Sequence, residues 1–166
     1  MSKLITFSRH FQKSHPKAGQ PTFFVEKILN SLGLTDLNQK PIDELNDFFI
    51  IAGDGKHHTI RGGNRFKVGD KFSPRVWSAK PYASKQIVIG PDIEIKKIYN
   101  VRVLVQSFGK LGLQAVISID GNDFQNIDLL AKNDGLSQAD FLNWFTTKKG
   151  ETFVGQIICW SDDVCY

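Results

Sequence analysis

Gly53-Asp54-Gly55-Lys56-His57-His58-Thr59-Ile60-Arg61 is the stretch at which the chain changes character. Before it the apolar residues recur at helical spacing. Phe24, Ile28, Leu29 and Leu32, closed by Gly33, predict a helix over about Thr22 to Leu32, and Pro41 followed by Ile42, Leu45, Phe48 and Phe49 gives a second helical pattern. After it come segments of strand character: His58 to Arg61, Lys71 to Ser78, Lys85 to Ile89, Glu94 to Gln106 and Leu113 to Asp120. Their edges carry strong breakers, Lys67-Val68-Gly69-Asp70, Gly90-Pro91-Asp92 and Asp120-Gly121-Asn122-Asp123. Leu4 to Ser8 adds a first strand and Gly155 to Trp160 a last one. Helical signals return late, over Ile127 to Lys132 and from the capping-box-like Ser137-Gln138-Ala139-Asp140 through Phe145. The expected fold is α+β, with enough strands to close a small mixed β-barrel flanked by helices.

The chain has 166 residues, with 41% hydrophobic and 23% charged, which fits one globular domain spanning 1–166 around a single core. The stretch at about 16–47 reads as a helical insertion. No run approaches the roughly 20 apolar residues that span a bilayer, and Met1 to Phe7 is too short and mixed for a secretory signal, so no membrane partner and a cytoplasmic location are expected. Cys159 and Cys165 suit neither a disulfide framework nor a four-ligand zinc site. The net charge is +4, and Asp54 to Lys80 alone carries seven basic residues against two acidic ones, +5, leaving −1 for the remainder. Such concentration favours an anionic partner, although a solvated charged face would look the same.

Several motifs occur in a recognisable order: K-x-x-T-I-R at Lys56 to Arg61, F-K-x-G-D at Phe66 to Asp70, an all-β stretch, then Asn133-Asp134-Gly135-Leu136-Ser137 leading into a helix. With Ile5-Thr6-Phe7 at the start, this pattern resembles the ASCH family of PUA-like domains, and in particular small bacterial amidohydrolases that remove the acetyl group from acetylated cytidine. The resemblance covers the first strand and roughly Gly53 to Trp160. It implies a PUA-like barrel and a working triad on Lys56, Thr59 and Asp134. The family's acid is a glutamate. The aspartate here is one methylene shorter, which withdraws the carboxylate by roughly 1 Å, a displacement that can cost about a hundredfold in rate.

The chemistry of these residue types points the same way. A threonine hydroxyl is a poor nucleophile until a base takes its proton, and a lysine that is desolvated or beside a cation such as Arg61 can be that base. Asp134 would hold Lys56 and help move the proton. Three positions separate Lys56 from Thr59, which puts them on opposite faces of any continuous strand, so Lys56 is expected in the turn preceding the strand.

A second set interleaves basic and aromatic residues: Arg61, Arg65, Phe66, Lys67, Lys71, Phe72, Arg75, Trp77, Lys80 and Tyr82. Arginine and lysine can hold phosphates while exposed rings stack bases, as in single-stranded RNA recognition; alternatively Phe66, Phe72 and Trp77 belong to the core. His10, His15, His57 and His58 lack metal-binding spacing, so no metal or other cofactor is expected, and His57, on the Thr59 face, is a candidate hydrogen-bond donor. Arg61-Gly62-Gly63-Asn64 lacks the lysine and spacing of a phosphate loop.

Three functions follow as expectations. One is binding of RNA or a modified nucleoside, with Arg61, Arg65, Lys67 and Arg75 on phosphate and Thr59, His57 and Asp134 on a base. Another is an amidohydrolase acting on acetylated cytidine or a related N-acyl compound. The last is an interaction domain using an exposed apolar face of the helix near Thr22 to Leu32.

Overall fold

The computed structural model describes residues 2–34, 55–147 and 150–166. The second helical pattern, Pro41 to Phe49, and Gly53-Asp54 lie outside the described residues. The elements run β1 (Lys3–Phe7), α1 (Phe24–Ser31), β2 (His58–Gly62), β3 (Lys71–Trp77), β4 (Gln86–Val88), β5 (Ile93–Glu94), β6 (Lys97–Ser107), β7 (Leu113–Ile119), β8 (Asn122–Asp123), α2 (Ile127–Asn133), α3 (Gln138–Phe145) and β9 (Phe153–Cys159). The class is α+β, and none of the described helices is long and apolar enough to cross a membrane.

The strands form two sheets. In the first, β3 is flanked by β1, parallel to it, and by β4 and β5, antiparallel. The second, ordered β2-β9-β6-β7-β8, is antiparallel throughout. No pairing among the described residues joins the two sheets into the closed barrel expected from the strand count. The break falls inside the expected strand Glu94 to Gln106. The Ile95 N–H donates to the Asp70 carbonyl beside the first sheet, and the next N–H, Lys96, donates to Cys159 in the second. A second interruption falls at Pro74, which has no N–H to give: Lys71 and Phe72 pair with β5, and Arg75 to Trp77 with β4.

Alternation along β6 buries Val101, Val103 and Val105 while Arg102 and Gln106 face outward. These valines join Ile5, Phe7, Phe72, Val76, Ile117, Ile157 and Ile158 in one core, each fully buried side chain stabilising by roughly 1.5–3 kcal/mol. β9 lies so close to β2 that a Cβ at Gly155 would sit 2.1 Å from the Arg61 carbonyl oxygen, so only glycine fits there.

Helix ends fix the polar segments. Ser137 caps α3 by accepting from the Asp140 N–H at 3.1 Å, one half of the expected capping box. The Asp140 carboxylate accepts from Lys17 Nζ at 2.8 Å, and against the effect of burial hydrogen bonds with Lys17 and Ser137 hold it below its ordinary value. α2 ends in a Schellman turn, with the Leu136 N–H on the Ala131 carbonyl, the Gly135 N–H on the Lys132 carbonyl, and Gly135 at φ 77°. That turn brings Asp134 inward. α1 buries Phe24, Val25, Ile28 and Leu29, so its apolar face is core; the interaction-domain reading needed that face exposed.

Candidate functional site

Lys56 lies in the irregular segment just before β2, and its ammonium is where the local structure converges. Its own N–H donates to the Lys27 carbonyl of α1, and the His57 N–H donates to the Asn133 carbonyl at the end of α2. These two bonds clamp the segment between helices. Gly135 completes the clamp: a Cβ built there would lie 3.3 Å from Lys56 Cβ, so the positive-φ turn presses directly on the lysine. At this close approach Lys56 Nζ donates both to Asp134 Oδ1 and to the Asp134 carbonyl. That carbonyl is at the negative end of α2, where a cation is favoured.

The pair is almost dry, Lys56 being 1% and Asp134 6% exposed. Burial dominates its electrostatics. It pushes the Lys56 ammonium down to about 8 against the pull of Asp134, with the Arg61 and Lys27 charges adding to the descent. Burial likewise raises the Asp134 carboxyl, opposed by Lys56 and Arg61. Lys56 also sits 4.3 Å from the centroid of the Phe24 ring, a cation–π contact in an apolar setting.

The pair forms one wall of a cavity of about 480 Å³. Thr59 and Arg61, both from β2, share that wall; among the described residues the Thr59 hydroxyl has no hydrogen-bond partner. Arg61 lies over the Phe7 ring and donates through Nη2 to the Thr6 carbonyl at 2.7 Å, while its buried Nε has no partner among the described residues. Trp77, Pro81 and Tyr82 line the mouth. Tyr82 is 90% exposed at φ 63°, an uncommon conformation for tyrosine, with its ring centroid 5.4 Å from that of Trp77. Phe24 and Trp144 supply much of the apolar wall.

Of the residues singled out in the sequence, Lys56, Thr59, Asp134 and Arg61 line this cavity, and Arg65, Lys67, Arg75 and His57 do not. Arg65 is exposed, its guanidinium over the Phe66 ring, and Arg75 is held by Ser73 and Gln86. Lys67 stays on the exposed turn before β3. His57 precedes β2, so strand alternation does not carry it to the Thr59 face, and its ring lies against Gly55. Phe66 and Phe72 are core residues, leaving Trp77 and Tyr82 as the available rings. No group of three or more His, Cys, Asp or Glu side chains among the described residues could hold a metal ion.

Sequence reasoning assigned no role at the site to His58, Asn133 or Tyr166. His58 is fully buried behind Asp134, with Nε2 3.7 Å from Asp134 Oδ1 and Nδ1 2.6 Å from the Tyr166 hydroxyl. Asn133 Nδ2 donates to that hydroxyl at 3.0 Å. Residues 108 positions apart meet here, and no local periodicity announces such a contact. A scan against family models, a search of curated proteins and a search of solved structures each returned no match to this chain.

Proposed function

We propose that the cavity hydrolyses the amide of a small N-acyl substrate, an acetylated cytidine or a related nucleoside, and that the chain is an ASCH-type, PUA-like domain whose two sheets are parts of a small mixed barrel. The observation that carries this reading is the meeting of Lys56, Thr59 and Asp134, from segments far apart in the chain, on one concave surface with the lysine–aspartate pair desolvated. A cavity of about 480 Å³ is of the size that takes a nucleoside.

In the proposed reaction the neutral Lys56 amine accepts the Thr59 proton as Thr59 Oγ1 bonds to the acyl carbon. Collapse breaks the C–N bond, and the Lys56 ammonium returns the proton to the departing amine. Water then enters and gives a proton to Lys56 while its oxygen attacks the acyl ester. The carboxylic acid leaves and gives its remaining proton to solvent, and Lys56 returns the proton it holds to the Thr59 oxygen. Asp134 stabilises the ammonium each time it forms. Because burial brings Lys56 down to about 8, turnover rises with pH and levels off above about that value.

Incubation with acetylated cytidine should release cytidine and acetate, and Thr59→Ala and Lys56→Ala should each lower the rate by at least about a thousandfold. Unchanged turnover in either variant removes this mechanism.

A second reading, binding of RNA or a modified nucleoside within a strand, is favoured by the exposure of Arg65, Lys67, Lys71 and Lys80 outside the cavity and of the Tyr82 ring in its lining. Phosphates would run along these cations while one base enters the cavity. Affinity for single-stranded RNA should then fall steeply with salt. Undetectable or salt-independent binding restricts the partner to a free nucleoside.

A further inference from the structure

Next to Asp134, outside the cavity lining, runs a polar chain of His58, Tyr166 and Asn133, buried at its His58 end, that the proposed reaction does not use. The Tyr166 hydroxyl accepts from Asn133 Nδ2, which leaves its own proton directed at His58 Nδ1, 2.6 Å away. A His58 that accepts at Nδ1 carries its proton on Nε2. That N–H is buried and without a hydrogen-bond partner among the described residues, yet it lies 3.7 Å from the Asp134 oxygen that Lys56 occupies. A buried donor left unmade in a packed interior is rare and calls for an explanation.

The arrangement is firmly built. Tyr99, Phe124 and His58 surround the Tyr166 ring edge-on, with centroids 5.4, 5.5 and 5.5 Å away. Lys97 Nζ holds the same segment by donating to the carbonyls of Asp162 and Val164. Burial drives His58 well below its ordinary value, so the ring stays neutral and acts as an oriented dipole rather than a charge.

We propose that Tyr166 and His58 are positioning residues: Tyr166 fixes the tautomer that presents His58 Nε2–H to Asp134, and this N–H takes the carboxylate whenever Lys56 releases it. A movement of about half an ångström to one ångström closes the 3.7 Å gap to a hydrogen bond. Asp134 therefore keeps a donor in the half of the cycle in which Lys56 is neutral, and the neutral amine is easier to reach. The place of this step in a cycle rests on the proposed hydrolysis; its test does not. The other groups facing the pair are Arg61 on β2, Lys27 on α1 and Cys159 on β9, with His57 and Tyr99 around the His58–Tyr166 contact.

The experiment is the titration of Lys56 in the free full-length protein, followed by nitrogen NMR of lysine-labelled samples. Without the stand-in donor the carboxylate is less stable once Lys56 is neutral, so the ammonium is harder to deprotonate. Tyr166→Phe and His58→Leu should each raise the Lys56 midpoint by about 0.5–1 pH unit. His58→Gln, which keeps an N–H near the same place, should restore it. An unmoved midpoint in Tyr166→Phe overturns the proposal, as does a His58→Gln shift as large as that of His58→Leu. Tyr166→Phe removes one oxygen and decides the matter alone if the His58 variants fail to fold. Shifted midpoints in a protein without turnover uphold the positioning role and sink the reaction; turnover with unmoved midpoints does the reverse.

Discussion

Lys56–Asp134 and Lys3–Asp70 join the same two side chains in opposite surroundings. At the surface Lys3 Nζ donates to Asp70, and that hydrogen bond, with one from the Lys67 N–H, holds the Asp70 carboxyl below its ordinary value. In the cavity wall burial pushes both partners towards their neutral forms, Lys56 down to about 8 and Asp134 up. The Lys3–Asp70 pair is half-exposed and weakly consequential; in the buried pair mutual attraction opposes the push of burial towards the neutral forms. A well-packed apolar pair of similar volume often gives equal stability, so a dry ion pair lining a cavity is better explained by chemistry than by folding.

The harshest way to test that contrast is to remove one buried partner. Asp134→Ala leaves the Lys56 ammonium without its carboxylate and should cost about 3–5 kcal/mol in urea denaturation at neutral pH. Replacing both, Lys56→Met with Asp134→Leu, should return the protein to within about 1 kcal/mol of the original while abolishing turnover. A double variant as unstable as the single one would make the pair a structural device.

The next effect is in pH. Lys56 has a folded value near 8 against an ordinary 10.5, so between these limits the unfolded chain holds a proton that the folded one lacks. Stability should therefore rise with pH across that window in the native protein relative to Lys56→Met. Asp70 gives a slope of the same sign at lower pH, but from a gain rather than a cost: its value is depressed, so its contribution is full above the ordinary 3.8 and is lost as pH falls through the folded value. The smallest effect belongs to Asp70→Ala, whose change in urea midpoint at neutral pH should be close to the scatter between preparations and vanish in high salt.

Local chemistry was legible in the sequence where it was decided locally. The β2 start at His58, the Ser137 cap and the placement of Lys56 ahead of the strand each follow from a rule acting over a few residues. The contact of Asp134 with Lys56 was expected in the sequence, though not the Gly135 turn that presses on Lys56. The change of sheet at Ile95 and Lys96 was not, because Glu94 to Gln106 keeps a continuous strand pattern while the backbone changes partners between adjacent residues. Nor were His58 and Tyr166, whose meeting depends on where β6, Phe124 and the 161–166 segment pack. Arg65, Lys67 and Arg75 read as one site with Arg61 in a linear count of charge, yet Arg65 and Lys67 sit on the segment between β2 and β3, Arg75 is held on β3 by Ser73 and Gln86, and none of the three lines the cavity.

The most direct test of the account is the covalent state of Thr59 during turnover. A reaction with acetylated cytidine, quenched in acid and analysed by peptide mass spectrometry, should show one acetyl group on the peptide containing Thr59, absent in Lys56→Ala. Cytidine released with no acetyl group ever found on Thr59, or with equal acetylation in Lys56→Ala, would contradict it.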